Sequence, residues 1–317
     1  MILSSVGAVL SIFLLIGVGV FIFWRKWIDR KGAAVFAKIV INIAIPANLI
    51  HSFLTNFDKS KVLESGIYIA AALIALVATY IISWGISFPL KIDKERRGVF
   101  SVVFAVSNSV FIGFPVAFAL FGEAGMLYAV LYYMANTTVF WTLGYLGIRR
   151  DADYRSGAVQ KRSFLSVLKK IINPPIISIA VGVVLMFTGV KLPEFLMSTL
   201  KYLSGLTTPL SLIFTGVVLA DLGIKSLKFE ADVLKVMVGR VLIAPAIMFV
   251  VTLLFGIKGL GQQVFIVQMG LPVMLQAVML SEYYGGDAKF ATKSFAWTTL
   301  FSLISIPCYM IIVSLFL

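Results

Sequence analysis

The sequence predicts an all-α integral membrane protein of ten transmembrane helices, built as two inverted five-helix repeats with discontinuous fourth and ninth helices. Three observations predict it. The 317 residues are 60% hydrophobic and 13% charged, with mean hydropathy +1.02, well beyond a soluble domain of this length. The apolar residues fall into ten runs of roughly 20, the length that crosses a bilayer core. Short motifs also recur at one offset between the two halves.

The runs lie at 5–24, 33–54, 66–90, 98–121, 124–148, 171–190, 200–222, 233–256, 262–284 and 290–316. The first has no basic residue before it and is longer than a signal-peptide core, so it reads as a span. Only the connection 149–170 is large enough for a surface helix, and it separates repeat 1–148 from repeat 171–317. The odd-numbered loops, with the span ends that border them, carry 20 of the 27 Lys and Arg. Under the positive-inside rule these loops face the cytoplasm of a cell membrane and both termini face out. The net charge of +13 thus sits in loops and implies no nucleic acid partner. Phe23-Trp24-Arg25-Lys26-Trp27 reads as an anchor among the membrane lipids. Cys308, the single cysteine, excludes an internal disulfide.

Pro46-Ala47-Asn48-Leu49-Ile50 is echoed by Pro209-Leu210-Ser211-Leu212-Ile213. Phe121-Gly122-Glu123-Ala124 is echoed by Tyr284-Gly285-Gly286-Asp287-Ala288, and Thr137-Thr138-Val139-Phe140 by Thr298-Thr299-Leu300-Phe301. Five spans per repeat is an odd number, so the second copy enters the membrane upside down. Such repeats place a transporter's site at the midplane and support alternating access.

Spans four and nine are each interrupted in mid-membrane and carry polar residues beside a proline there: Ser107, Asn108 and Pro115 in one, Gln268, Pro272 and Gln276 in the other. Backbone freed at that depth must be satisfied by protein or by a watered cavity. The repeat offset sets Asn108 opposite Pro272, so the two spans are expected to cross antiparallel. Proline suits the first turn of a helix, and Pro115 and Pro272 are expected to open the second halves. Each new N-terminus would carry about half a positive charge, together enough for one carboxylate. Asn42 and Asn48 flank Pro46 and either line the same cavity from the opposite side or bridge spans two and seven. The plainer reading makes these prolines packing kinks and the amides interhelical hydrogen bonds.

No Asp, Glu, Lys or Arg is expected at the centre of a span. Arg240 and Asp221 are expected to form an ion pair or, with Glu282, a cytoplasmic gate. Lys38 can snorkel to the inner surface, and His51 reads as structural. With one His, one Cys and no central acids, no metal site, cofactor or base–nucleophile cluster is expected and the chain is not read as an enzyme. Strict proton or sodium coupling finds little support.

At these residues the chain resembles the auxin efflux carrier family, which includes the plant PIN-FORMED carriers and many prokaryotic members. The family's fourth-span pattern is similar to Asn108 through Pro115, and its ninth-span pattern to Gln268 through Pro272 followed by Glu282-Tyr283. Asn173-Pro174, Pro46 and Leu203-Ser204 match its sixth, second and seventh spans. The resemblance implies a fold like that of sodium/proton antiporters and bile-acid symporters. Helices one, two, six and seven would form a scaffold, helices three to five and eight to ten a transport domain, and two chains a homodimer. Ser107 stands where plant members have proline, a second ninth-span proline is replaced near Gln276-Ala277, and the long central loop is absent. The implied function is secondary transport of small organic anions, mono- or dicarboxylates or auxin-like acids, by elevator or rocking motion. The alternative is a membrane sensor that docks a partner through 149–170.

Overall fold

The computed structural model describes residues 2–55, 59–157, 174–221, 223 and 229–316. They are helical, with one isolated β-bridge and no longer strand among them. The helices are α1 Ile2–Trp24, α2 Arg30–Thr55, α3 Lys59–Ile86, α4 Arg97–Ala105, α5 Ser109–Ser156, α6 Pro174–Thr188, α7 Glu194–Asp221, α8 Ala231–Leu254, α9 Leu260–Met269, α10 Leu275–Tyr284 and α11 Ala288–Phe316. Six, namely α2, α3, α5, α7, α8 and α11, are long and apolar enough to cross a membrane by length and composition, and stretches of α1 and α6 form shorter apolar helices. This is the build of a multi-pass membrane protein. The 149–170 connection begins as the last turns of α5, and its remainder lies outside the described residues.

Backbone chemistry explains where the helices bend. α5 folds back at Gly122, whose φ of 62° suits glycine. Prolines 46, 115 and 245 each sit two residues after a widened turn, at Val40–Ala44, Ser109–Gly113 and Gly239–Ile243. A proline has no N–H for the carbonyl four residues back. In the widened turn the residue before each proline reaches five back instead: Ile45 to Val40, Phe114 to Ser109 and Ala244 to Gly239. The chain therefore passes these prolines without losing its helix.

α1 lies along the second half of α7, and α2 packs on α6 and α7. At the α1–α7 crossing the backbones nearly touch: a Cβ on Gly19 would meet the Ile213 carbonyl, and one on Gly216 the Ile16 carbonyl. In lipid, where apolar burial drives little, such close approach is what holds helices together. α3 packs on α4, α5 and α8, α9 on α5 and α8, and α10 on α11. Ion pairs gather the connections at one end. Arg96 binds Asp287 at 2.8 Å, Asp232 at 3.1 Å and Glu230 at 3.3 Å, and Lys293 also meets Glu230. Asp151 accepts from the N–H groups of Gly98 and Val99 at 2.9 and 2.7 Å, capping α4 from α5.

Candidate functional site: the crossing of two broken helices

α4 stops at Ala105 and the chain resumes helix at Ser109, while α9 stops at Met269 and α10 starts at Leu275. The two short extended breaks cross antiparallel. Asn108 N–H donates to Pro272 O at 2.9 Å and Met274 N–H to Val106 O at 3.3 Å, pairing Ser107 with Val273. This is the Asn108–Pro272 opposition that the repeat offset predicts. Asn108 caps α5, its Oδ1 accepting from Phe111 N–H at 3.3 Å. That placement corrects the expected role of Pro115: the second half begins six residues earlier, and Pro115 rides inside α5 behind its widened first turn. Pro272 likewise lies in the extended break, before α10.

Side chains from neighbouring helices satisfy the freed backbone, as burial requires. Asn136 Oδ1 accepts from Ser107 N–H at 3.1 Å, and its Nδ2 donates to Ser107 O at 2.9 Å and Ser109 Oγ at 3.1 Å. Tyr132, one turn earlier, sets its hydroxyl 2.8 Å from Ser107 Oγ. Thr298 Oγ1 accepts from Val273 N–H at 3.1 Å. Gln268 Nε2 reaches Gly113 O at 2.8 Å, joining α9 to α5.

The main correction concerns Arg240. It is fully buried and makes no ion pair with Asp221. Its Nε and Nη2 donate to Leu271 O at 3.0 and 2.7 Å, Nη2 also to Met269 O at 2.7 Å, and Nη1 to Phe104 O at 3.1 Å. Phe104 and Met269 lie at the ends of α4 and α9, which leave orphan acceptors and about half a negative charge each, and Leu271 lies in the break just beyond α9. A guanidinium fork answers both ends at once. The expectation of no charge at a span centre fails here. A chain position two turns into span eight says little of depth when the partner helices stop short.

A cavity of about 160 Å³ opens beside the crossing, lined by Val110, Tyr133, Thr137 and Trp141 of α5, Met274 and Gln276 at the start of α10, and Ile41 and Pro175 from α2 and α6. Thr137 Oγ1 and Gln276 Oε1 are buried without a protein partner, and so is Asn108 Nδ2. Asn48 is not brought here. Its Nδ2 donates to Ser204 Oγ at 2.6 Å, bridging spans two and seven. Asn42 bonds Lys38 O at 2.7 Å and lines a second cavity of about 780 Å³.

Residues 4–310 match the family model described as membrane transport protein. The chain belongs to this membrane transport protein family. It is 29% identical to an uncharacterized transporter of Methanocaldococcus jannaschii over 95% of this chain and 96% of the relative. It is 25% identical to an uncharacterized transporter of Methanothermobacter thermautotrophicus over 98% and 99%, and 21% identical to the uncharacterized transporter YfdV of Escherichia coli K12 over 96% and 96%. The PIN-like family reading from the motifs is thus correct, and the family and these relatives are described as transporters.

For a membrane transport protein, the second cavity has the more informative rim. Arg30 Nη1 meets Asp221 Oδ2 at 3.4 Å, and its Nη2 meets Glu282 Oε2 at 3.7 Å, so α2, α7 and α10 are tied together at the mouth. Asp221 and Glu282 therefore share Arg30 as partner, in place of the expected Arg240. Sequence reading missed Asn136, Tyr132, Thr298 and the use of Arg240. Tyr132 and Asn136 stand at i and i+4, one face of a helix, and Thr298 lies in the repeated Thr-Thr motif; both signals were present.

Proposed function

We propose that the protein is a secondary transporter of small organic anions, with the substrate carboxylate held where the broken helices cross. One observation carries the reading. The first turns of α5 and α10 line a cavity that holds a buried, unpartnered Thr137 hydroxyl, and Asn108 Nδ2 at the crossing is likewise buried without a partner. Helix N-termini offer free N–H groups and partial positive charge to an anion. Ser107, Gln268 and Pro272 support this site by holding the crossing in shape, while Gln276 faces the bound molecule. The apolar wall from Ile41, Tyr133, Trp141 and Pro175 suits a carbon skeleton.

The architecture we propose is ten spans in two inverted repeats, 1–148 and 171–317. α1, α2, α6 and α7 make a scaffold, and α3, α4, α5 and α8–α11 a transport domain that carries the site past it. The helix pairings support this division, since each group packs mainly within itself. The basic loops would face the cytoplasm, both termini the outside, and two chains would pair through their scaffolds. The Arg30–Asp221–Glu282 cluster spans the two groups and would act as the inner gate.

The test is uptake of labelled small carboxylates, indole-3-acetate among them, into proteoliposomes by wild type and Asn108→Ala. Saturable uptake lost in the variant supports the reading. Transport unaltered by Asn108→Ala for every accepted compound sinks the site, and binding without flux turns the assignment to a sensor.

A further inference from the structure

At the end of the bundle where Arg96 gathers its ion pairs, three further cations lack an acid. Lys94 lies between α3 and α4, Arg97 opens α4, and Arg150 lies in the last turns of α5. Among the described residues none of the three comes within ion-pair distance of a carboxylate. Their partners are rings. Lys94 Nζ lies 5.9 Å from the centre of the Tyr154 ring. Arg150 Cζ lies 5.4 Å from Tyr154 and 4.5 Å from Trp84, and Arg97 Cζ lies 4.2 Å from Phe88. Trp84 and Phe88 meet edge to face at 6.4 Å. Lys94, Tyr154, Arg150, Trp84, Phe88 and Arg97 thus form one unbroken row. Rings hold the cations in place without cancelling their charge. The nearest acids are committed elsewhere: Asp151 closes the N-terminus of α4, and Asp287 holds Arg96. Asp93 and Glu95, on the same connection as Lys94, pair with none of the three.

Beside the row the surface turns apolar. Ile81, on the face of α3 that carries Trp84, is 61% exposed. Ile82 opens a groove of about 600 Å³ between α3 and α8, lined also by Leu242, Ala246, Ile247 and Val250. The groove is continuous with the surface that a multi-pass protein turns to lipid. A soluble anion would use the charge and leave the groove empty. A phospholipid uses both.

We propose that Lys94, Arg97 and Arg150 hold the phosphate of an anionic phospholipid, one acyl chain of which runs over Ile81 into the α3–α8 groove. Guanidinium forks match phosphate oxygens, and basic clusters at the end of a membrane helix draw anionic headgroups. The site is separate from the crossing and stands whatever anion the crossing takes. Arg97 is the first residue of α4, and Ala105, where α4 breaks, is about 12 Å along it. The lipid therefore grips the base of one of the two broken helices.

The experiment titrates full-length protein in neutral detergent with phosphatidylglycerol and phosphatidylcholine of matched chains, and native mass spectrometry counts bound lipid. Wild type is expected to retain phosphatidylglycerol in preference to phosphatidylcholine. Each cation removed should weaken that retention about five-fold, so Arg97→Gln/Arg150→Gln should weaken it about 25-fold. Arg25→Gln/Lys26→Gln, at another basic aromatic stretch, should leave it unchanged. Equal retention by the first pair, or an equal loss in the second, overturns the proposal. Lys94→Gln, at an exposed side chain, serves if the arginine pair fails to fold, with about a five-fold loss expected. Millimolar inorganic phosphate and glycerol 3-phosphate should not displace the lipid. Displacement by either would mark a site for soluble anions and overturn the lipid assignment. Ala246→Trp fills the groove with every cation in place and should weaken phosphatidylglycerol retention. Unchanged retention there would remove the acyl chain from the groove and overturn the proposal as stated.

Discussion

Asn136 holds the Ser107 peptide from both sides, its Oδ1 accepting the N–H at 3.1 Å and its Nδ2 donating to the carbonyl at 2.9 Å. One side chain thereby replaces two backbone hydrogen bonds that the break in the helix forfeits. Asn136→Ala leaves the Ser107 N–H buried and unpaired, costing about 1–3 kcal/mol, while the Ser107 carbonyl keeps the Ser109 N–H at 2.9 Å. A clear fall in the melting temperature of the purified protein is expected. A change under about 0.6 kcal/mol, the average for interhelical bonds in membranes, would mean that water takes the amide's place.

Thr137→Val should separate stability from activity. The Thr137 hydroxyl is buried with no protein partner, so a valine of the same shape removes an unsatisfied group and should stabilise the empty protein by about 1 kcal/mol. Transport should instead fall about ten-fold, as one hydrogen bond to a charged ligand is lost. Melting and initial-rate uptake on the same preparation check both signs.

Gly216→Ala puts a methyl into the Ile16 carbonyl across the α1–α7 crossing. The helices must separate, and a loss of about 1–3 kcal/mol is expected from overpacking. Gly17, with open space around it, is the control: Gly17→Ala should leave the melting temperature unchanged or slightly higher.

Glu282→Gln loosens the rim without loosening the fold. Its contact with Arg30 is largely exposed, and such pairs contribute about 0–1 kcal/mol. The expected change is in access. A cysteine placed at Asn42, in the cavity behind the rim, in a Cys308→Ser background, should react faster with a water-soluble maleimide once Glu282 is neutral. Equal rates would show that Arg30 does not close the mouth.

Much of this arrangement is legible in the sequence because its physics is local. Gly270 and Pro272 announce the break between α9 and α10, and the offset between Asn108 and Pro272 sets the crossing partner. What escapes is whatever depends on depth and on third helices. Pro115 looks like a helix start because proline favours first turns, yet the widened turn of Ser109–Gly113 absorbs it inside the helix. Arg240 looks peripheral by residue count, but α4 and α9 end early enough for its guanidinium to reach both. Asn48 is ambiguous on paper because an amide suits a cavity and a bridge equally, and only the position of Ser204 decides.

The order in which the crossing is synthesised has its own consequence. Ser107 enters the membrane some 160 residues before Pro272 and Met274 exist. Through that interval its N–H depends on Asn136, on the following turn-back of the chain, while its carbonyl has Ser109 N–H as well. A nascent chain halted after α5 should therefore already protect Ser107, whereas the Phe104 carbonyl waits for α8 to bring Arg240. Biogenesis then proceeds by two captures, one within the first hairpin and one spanning the halves. The second sets the point at which a stalled or truncated chain becomes a target for membrane quality control.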